Sequence, residues 1–457
     1  MGEGVSALLA ARAQFGITIS FHIVLAAFSI GLAQMLMVLE ALWLWRGRAV
    51  YMDVYRFWLK VFAMTVAVGT ASGLIMEYQF GLNWSRLSVQ AGQVIGPLMF
   101  YEVLVAFFLE AGFLGIMIFG LKKVGRRLHF FSTVAVAAGS LTSAFWILSA
   151  NSWMHTPAGY SIDVAGRFIA DDWWAIIFNP SFPYRFTHMT LAALLGTATM
   201  VAGVGAWHLL REPENPRARL QYSLALWVIT VVTPLQIAVG DLHGQHTLKV
   251  QPQKIAAIEG SWTRPPTDAG EPLRLFALPD MQARQNHYEL AIPRLGSVYL
   301  THDLTGTIAA LDEFAAEDIP PVLPVFFAFR LMVGLGLLMC AQGLLSLVLR
   351  WRGRLFQARW LQRASVCMAP AGFLAMLSGW VVTEVGRQPF TVYGLLRTAD
   401  SVSSVSRQQV LGSTLGILIF YMSVFGFGLY ILLRVLRKPV QQNESGPQPG
   451  AFDEPRP

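Results

Sequence analysis

Glu384 and Arg387 stand three residues apart in GWVVTEVGRQPF, residues 379–390, where an apolar run long enough to span a bilayer comes to its end. An ionised carboxylate at membrane depth costs roughly 3 kcal/mol on insertion scales, so an intramembrane acid faces a cavity, a cofactor or an opposite charge rather than lipid. Glu384 is therefore a functional candidate before any other residue is read.

Three further side chains of ligand type sit in apolar runs: His22 early in the first, His188 at the start of the fifth and Met332 in the seventh. Histidine with methionine is an axial pair for a six-coordinate electron-transfer haem, whereas a lone histidine or carboxylate leaves iron an open position. A zinc site would use several histidines, cysteines or carboxylates at closer spacing. The set points to haem, although each member alone has a blander role. Met332 is one of 17 methionines and fits a core gap-filler; His188, after Arg185 and Thr187, fits an interfacial hydrogen-bonding residue.

The third run, GPLMFYEVLVAFFLEAG, adds Glu102 and Glu110, eight residues or about 12 Å apart along a helix. Two acids on one span can pass a proton, or can stand neutral and bonded to neighbouring helices. Ser143, in GSLTSAFW, extends such a relay or bonds back to its own helix. Trp380 lies four residues before Glu384 on the same helical face, placed to bridge two cofactors or, as one of 14 tryptophans, to pack.

The elements that hold these residues are membrane helices. The chain is 54% hydrophobic and 13% charged, against about 25% charged in ordinary soluble domains. Windows of about 20 apolar residues predict nine spans near 16–43, 57–79, 95–120, 129–150, 187–209, 221–240, 322–349, 366–385 and 411–434. The net charge of +7 is not a nucleic-acid signal, because the basic residues collect in alternate loops, such as Lys122, Lys123, Arg126 and Arg127, or Arg350, Arg352 and Arg354. Those loops are assigned to the cytoplasm, which places the N-terminus outside and the C-terminus inside. The fold class expected is an all-α polytopic membrane protein, with no cleavable signal ahead of the first span.

Residues 1–440 form the membrane domain, interrupted by one long external connection at 241–321, and residues 441–457 read as a disordered cytoplasmic tail. Within the connection, QKIAAIEGSW predicts a short helix, with Lys254 and Glu259 flanking its apolar centre. Alone, the two fit an exposed ion pair. Cys340 and Cys367 both fall inside expected spans, so no disulfide framework or cysteine metal site is supported.

The segments RAQFGITISFH, SGLIMEYQFGLNW, PLMFYEVLVAFFLEAGF, TSAFWILSANSWM, FTHM, FAFRLMVG and GWVVTEVGRQPF, in this order over most of the chain, closely resemble subunit I of the cytochrome bd family of quinol oxidases. The resemblance implies that His188 and Met332 are the axial ligands of a low-spin haem b, with Arg330 beside its propionates. It implies that His22 and Glu384 hold a high-spin haem b and a haem d, or a further b-type haem in its place, without saying which ligand holds which. Trp380 then matches an aromatic between haems, Arg387 a propionate partner, Glu77 a buried acid near the haem cluster, and Glu102, Glu110 and Ser143 members of a proton route. Lys254 and Glu259 match quinol-binding residues of the connection called the Q-loop in this family. The short connection resembles that of the cyanide-insensitive type, and Phe390 stands where a tryptophan often follows GRQP.

The implied activity is oxidation of ubiquinol or menaquinol at the outer face and reduction of oxygen to water, with protons drawn from the cytoplasm and charge separated without a pump. Implied partners are a second large membrane subunit, subunit II, and a small single-span one, in the bacterial cytoplasmic membrane. Two other readings stand beside the oxidase: a cofactor-free ion or solute transporter with a gating acid at Glu102 or Glu110, and a cytochrome that relays electrons through the low-spin haem without reducing oxygen and needs no open-site ligands at His22 and Glu384.

Overall fold

The computed structural model of the chain describes residues 2–105, 108, 112–266 and 268–444. Its long helices are α1 (Gly2–Arg46), α2 (Ala49–Leu82), α3 (Ser85–Val105), the short α4 (Gly112–Phe119) and α5 (Arg126–His155), followed by the single turn α6 (Trp173–Ile177), then α7 (Phe182–Arg211) and α8 (Pro216–Val250). Eight stretches among the described residues are long and apolar enough to cross a membrane: Ala7–Arg46, Ala49–Leu82, Arg126–His155, Trp173–Arg211, Pro216–Val250, Ala316–Trp351, Arg359–Val385 and Arg407–Leu436. They coincide with eight of the nine apolar runs. The ninth, 95–120, takes in the end of α3 and all of α4; residues 106, 107 and 109–111 between them, Glu110 included, lie outside the described residues.

Two boundaries differ from the hydropathy reading. The helix expected to end near 240 continues to Val250, so the long connection starts at Gln251 rather than Asp241. Its polar last turns stay helical because they have partners: Gln245 Nε2 donates to the carbonyls of Tyr299 and Leu300 at 3.1 and 2.8 Å. The expected span 366–385 is broken into α12 (Arg359–Cys367) and α13 (Ala371–Val385), reached through a length of chain that follows α11 (Val322–Trp351). Pro370 stands at the break, where it could not donate a backbone hydrogen bond to a continuing helix.

The described residues of the connection form regular elements. They include α9 (Pro252–Glu259), the antiparallel hairpin β3 (Leu273–Asp280) and β4 (Gln285–Ile292), and α10 (Leu295–Thr301). Two smaller hairpins, β1 (Tyr160–Ile162) with β2 (Phe168–Ala170) and β5 (Phe390–Val392) with β6 (Leu396–Arg397), lie between helices; α14 (Thr398–Ser401) and α15 (Arg407–Leu436) are the last elements among the described residues. α9 is the short helix predicted from QKIAAIEGSW, closed by Gly260 in the left-handed region at φ 62°.

The main apolar core is built mostly from α1, α2, α5, α7, α8, α12 and α13, with Met117 of α4, Met339 of α11 and Leu436 of α15. A second cluster joins the start of α1 to α3 and to the β1–β2 and β5–β6 hairpins, and a third seats α9 and α10 against α11. The connection thus rests on the helices through an apolar contact of its own. Beyond α15 the chain is held as far as residue 444, where Glu444 accepts from Lys60 at 2.5 Å; this shortens the stretch expected to be free from Gln441 onward.

Candidate functional site

Helices α7, α8, α11 and α13 pack on one another and carry His188, Gly240, Met332 and Gly379 respectively. A Cβ built on Gly240 would come within 3.2 Å of His188 Cε1, and one on Gly379 within 2.9 Å of Met332 Sδ. Each candidate axial ligand therefore lies against a neighbouring helix at the one residue type that leaves it room. His188 Nε2 contacts Gln236 Nε2 at 3.2 Å, while its Nδ1 is buried without a hydrogen-bond partner. His243, one turn from Gly240, meets the His188 ring at 5.8 Å between centroids.

Glu384, near the end of α13, is the hub of a second cluster. Its Oε1 accepts from Asn151 Nδ2 at 2.9 Å and meets His155 Nε2 at 3.2 Å, both from α5, while Oε2 accepts from Arg387 at 2.5 Å. On its other side the fully buried His155 ring takes Lys254 Nζ at Nδ1, 3.3 Å away. An ionised carboxylate only accepts, so Nε2 carries the proton that points at Glu384 and Nδ1 is left to accept from Lys254. One histidine thus joins the lysine of the connection to the carboxylate of the bundle. The carbonyl of His155 is itself held by Gln251 Nε2 at 2.9 Å.

Lys254 reaches this point by crossing the GRQP turn: a Cβ on Gly386 would fall 2.9 Å from Lys254 Cγ. Burial, and after it the Arg185 cation, pushes the Lys254 ammonium well below the ordinary lysine value, with Glu384 opposing. Burial likewise lowers Arg387, against the pull of Glu384.

Glu259 does not pair with Lys254, and neither is exposed, which removes the surface ion pair as an account of them. Glu259 faces Arg330 Nη2 at 3.6 Å. Burial raises its pKa, opposed first by the Arg330 charge, and Tyr299 beside it is raised well above the tyrosine range by burial and then by Glu259 itself. Arg330 does more than face an acid: Nη1 donates to Ile258 O at 2.7 Å, Nε to Arg274 O at 2.7 Å, and its guanidinium lies 3.3 Å over the Phe326 ring. It ties α9 and β3 to α11.

The remaining candidates fall on the other helices. His22 on α1 has Nδ1 at 3.0 Å from Ser72 Oγ of α2. Ser143 on α5 donates to Glu102 on α3 at 2.9 Å, and Glu77 on α2 lies within electrostatic reach of Glu102. Trp380 is half-buried on α13. The structure so brings together Ser143 with Glu102, and Lys254 with Glu384 and Arg387. It also recruits His155, Asn151 and Arg185, which the sequence reading passed over; the available signal was polar residues crowding the outer ends of two spans, in SANSWMHT and SFPYRFTH.

This second cluster is unbalanced. Arg185, Lys254 and Arg387 are all buried around the single carboxylate of Glu384, and Arg185 Nε together with Arg387 Nε and Nη1 have no hydrogen-bond partners. Buried cations in excess call for an anion. A haem fits on both counts: its propionates are anionic, and neutral histidine and thioether donors stand in the adjoining four helices.

Comparison with known proteins agrees with this chemistry. The family model described as cytochrome bd terminal oxidase subunit I matches residues 10–440. The chain is 34% identical over 462 residues to a Bacillus subtilis (strain 168) protein named cytochrome bd ubiquinol oxidase subunit 1, covering 98% of this chain and 97% of that one. It is 29% identical over 514 residues to the Escherichia coli (strain K12) cytochrome bd-II ubiquinol oxidase subunit 1, covering 98% of each. Its fold superposes on a chain of the bd oxidase from Geobacillus thermodenitrificans with a TM-score of 0.87 at 26% identity, over 95% of this chain and 99% of that one. A helical membrane protein with this cluster of buried charges, whose sequence matches from residue 10 to residue 440, belongs to the cytochrome bd terminal oxidase subunit I family.

Proposed function

We propose that this chain is the haem-carrying, quinol-oxidising subunit of a respiratory oxidase that reduces oxygen to water. The observation that carries the reading is the junction at His155, where Lys254 of the connection and Glu384 of α13 share one hydrogen-bonded imidazole. His188 and Met332 would hold the low-spin haem b; His22 and Glu384 would hold the high-spin haem b and the haem d, or a b-type haem in its place. When bound, the haems supply the electron transfer and the oxygen chemistry.

The chain's own residues do the rest. Lys254 and Glu259 bind the head of ubiquinol or menaquinol from the two ends of α9, and Glu259 takes a quinol proton when ionised. Arg185 and Arg387 balance the propionates, and Trp380 packs between haems. Glu102, Glu110 and Ser143 pass protons inward from the cytoplasm, with Glu77 nearby, so each turnover separates charge without pumping; each elementary charge moved stores about 2.3 kcal/mol per 100 mV. Nine spans with the N-terminus outside and the C-terminus cytoplasmic, in the bacterial cytoplasmic membrane, complete the proposal, together with a partner subunit II and a small single-span subunit.

The test is a dithionite-reduced minus oxidised spectrum of the complex purified with its membrane partners. Two b-type signals with a red-shifted chlorin band are expected, and His188→Ala or Met332→Leu removes the low-spin b signal alone. A colourless intact complex would leave the chain as a transporter.

A further inference from the structure

The β3–β4 hairpin exposes an apolar face that nothing in the oxidase reading uses. Leu275, Phe276, Leu278, Tyr288, Leu290 and Ile292 are all exposed, Tyr288 at 81% and Leu290 at 61%. Tyr288 is held in the left-handed region at φ 52°, a conformation costly for a bulky residue, in the strand opposite the register shift between Phe276 and Leu278. A water-facing hairpin would gain nothing from such a surface.

The depth of the hairpin says what covers it. Residues 331–349 of α11 carry no charged side chain and end at Arg330 and Arg350. Their rise is about 30 Å, the thickness of a hydrocarbon core, so Arg330 marks the bilayer interface. The hairpin hangs from that arginine: Arg330 Nε donates to the Arg274 carbonyl at 2.7 Å, and Phe276 meets Phe327 of α11 at 5.7 Å between centroids. Its apolar face therefore lies level with the interface, near which α11 also exposes Leu331. Charge within the hairpin is muted at this end, since Glu289 pairs with Arg274 at 3.2 Å. A two-stranded ribbon has open edges, which hydrocarbon would not satisfy. The interfacial layer, with its water and headgroups, does satisfy them, and tyrosine is enriched there.

We propose that the hairpin is an interfacial lipid anchor: its apolar face is seated among headgroups and upper acyl chains on the side from which the 251–321 connection emerges, and holds α9 at the bilayer surface. The occupant is lipid, not a soluble protein. The inference stands independently of the haem assignments.

To test it, Leu278→Cys is labelled with the fluorophore NBD in a chain carrying Cys340→Ala and Cys367→Ser, with Glu214→Cys, on a water-exposed loop, as control. The intact complex is placed in nanodiscs with and without brominated phosphatidylcholine. Quenching at position 278 at least threefold greater than at position 214, with a blue-shifted emission, is expected. Bromolipid quenching no greater than at the control would overturn the proposal, whether cobalt in the buffer reaches the label, as for a hairpin in water, or does not, as for one covered by a partner subunit. Tyr288→Cys, labelled in the same way, repeats the measurement should Leu278→Cys impair assembly.

Discussion

At the residue scale, Glu259 illustrates how burial moves a carboxylate away from its ordinary pKa. It is fully buried, and its pKa stands above the usual glutamate value because desolvation outweighs the Arg330 charge. For a carboxylate raised on folding, the ionised form is present above the raised pKa and is lost as pH falls through it. If Glu259 must be ionised to receive a quinol proton, the apparent KM for quinol climbs as pH falls, beginning above the range in which a free glutamate would titrate. Glu259→Gln raises KM roughly tenfold, the loss of about one hydrogen bond to a charged group, and flattens the acid limb. Oxygen uptake against quinol concentration across about pH 5–8 measures both; an unchanged acid limb would remove Glu259 from that role.

At the element scale, α13 meets α11 at Gly379, whose place against Met332 Sδ leaves no space for a methyl group unless that side chain shifts. The obstructing atom is the end of a flexible thioether, so Gly379→Ala is accommodated by a shift of Met332 rather than of the helices, and alanine favours the helix by up to about 1 kcal/mol over glycine. The expected result is a complex of unchanged or slightly higher melting temperature with an altered low-spin haem b spectrum and midpoint potential. An unaltered spectrum would separate Met332 from that haem. Gly386 serves the same end of α13 differently, by letting the Lys254 stem pass, and this close approach brings the connection into register with Glu384.

At the scale of the whole molecule, the polar site residues divide by position. The acids Glu259 and Glu384 and the cations Lys254 and Arg387 lie where the connection meets the helix ends, whereas Glu102 accepts from Ser143 between α3 and α5. On the proposed function, the first group serves proton release and the second proton uptake. Glu102→Gln and Glu110→Gln should each slow quinol-driven oxygen uptake by about tenfold or more, in the range by which positioned proton-transfer groups act, with every haem still bound in the spectrum. Normal turnover in either would take that acid out of the proton route.

What the sequence alone determined is whatever depends on composition along the chain. Runs such as 16–43 and 411–434 announce membrane helices because twenty apolar residues have few other fates, and His22 and Glu384 are conspicuous because polar groups in such runs are costly. The order of motifs from RAQFGITISFH to GWVVTEVGRQPF identified the family and, with it, the role each ligand candidate is expected to play. The tertiary structure decided which side chains meet. That His155 stands between Lys254 and Glu384, that Arg330 bonds the carbonyls of Ile258 and Arg274, and that α8 keeps its helix to Val250 all depend on partners tens to hundreds of residues away. The break at Pro370 was legible but overridden in the hydropathy reading, because a window average records apolarity and not backbone hydrogen bonding. Local pattern fixes burial depth; only packing pairs a buried charge with its counter-charge.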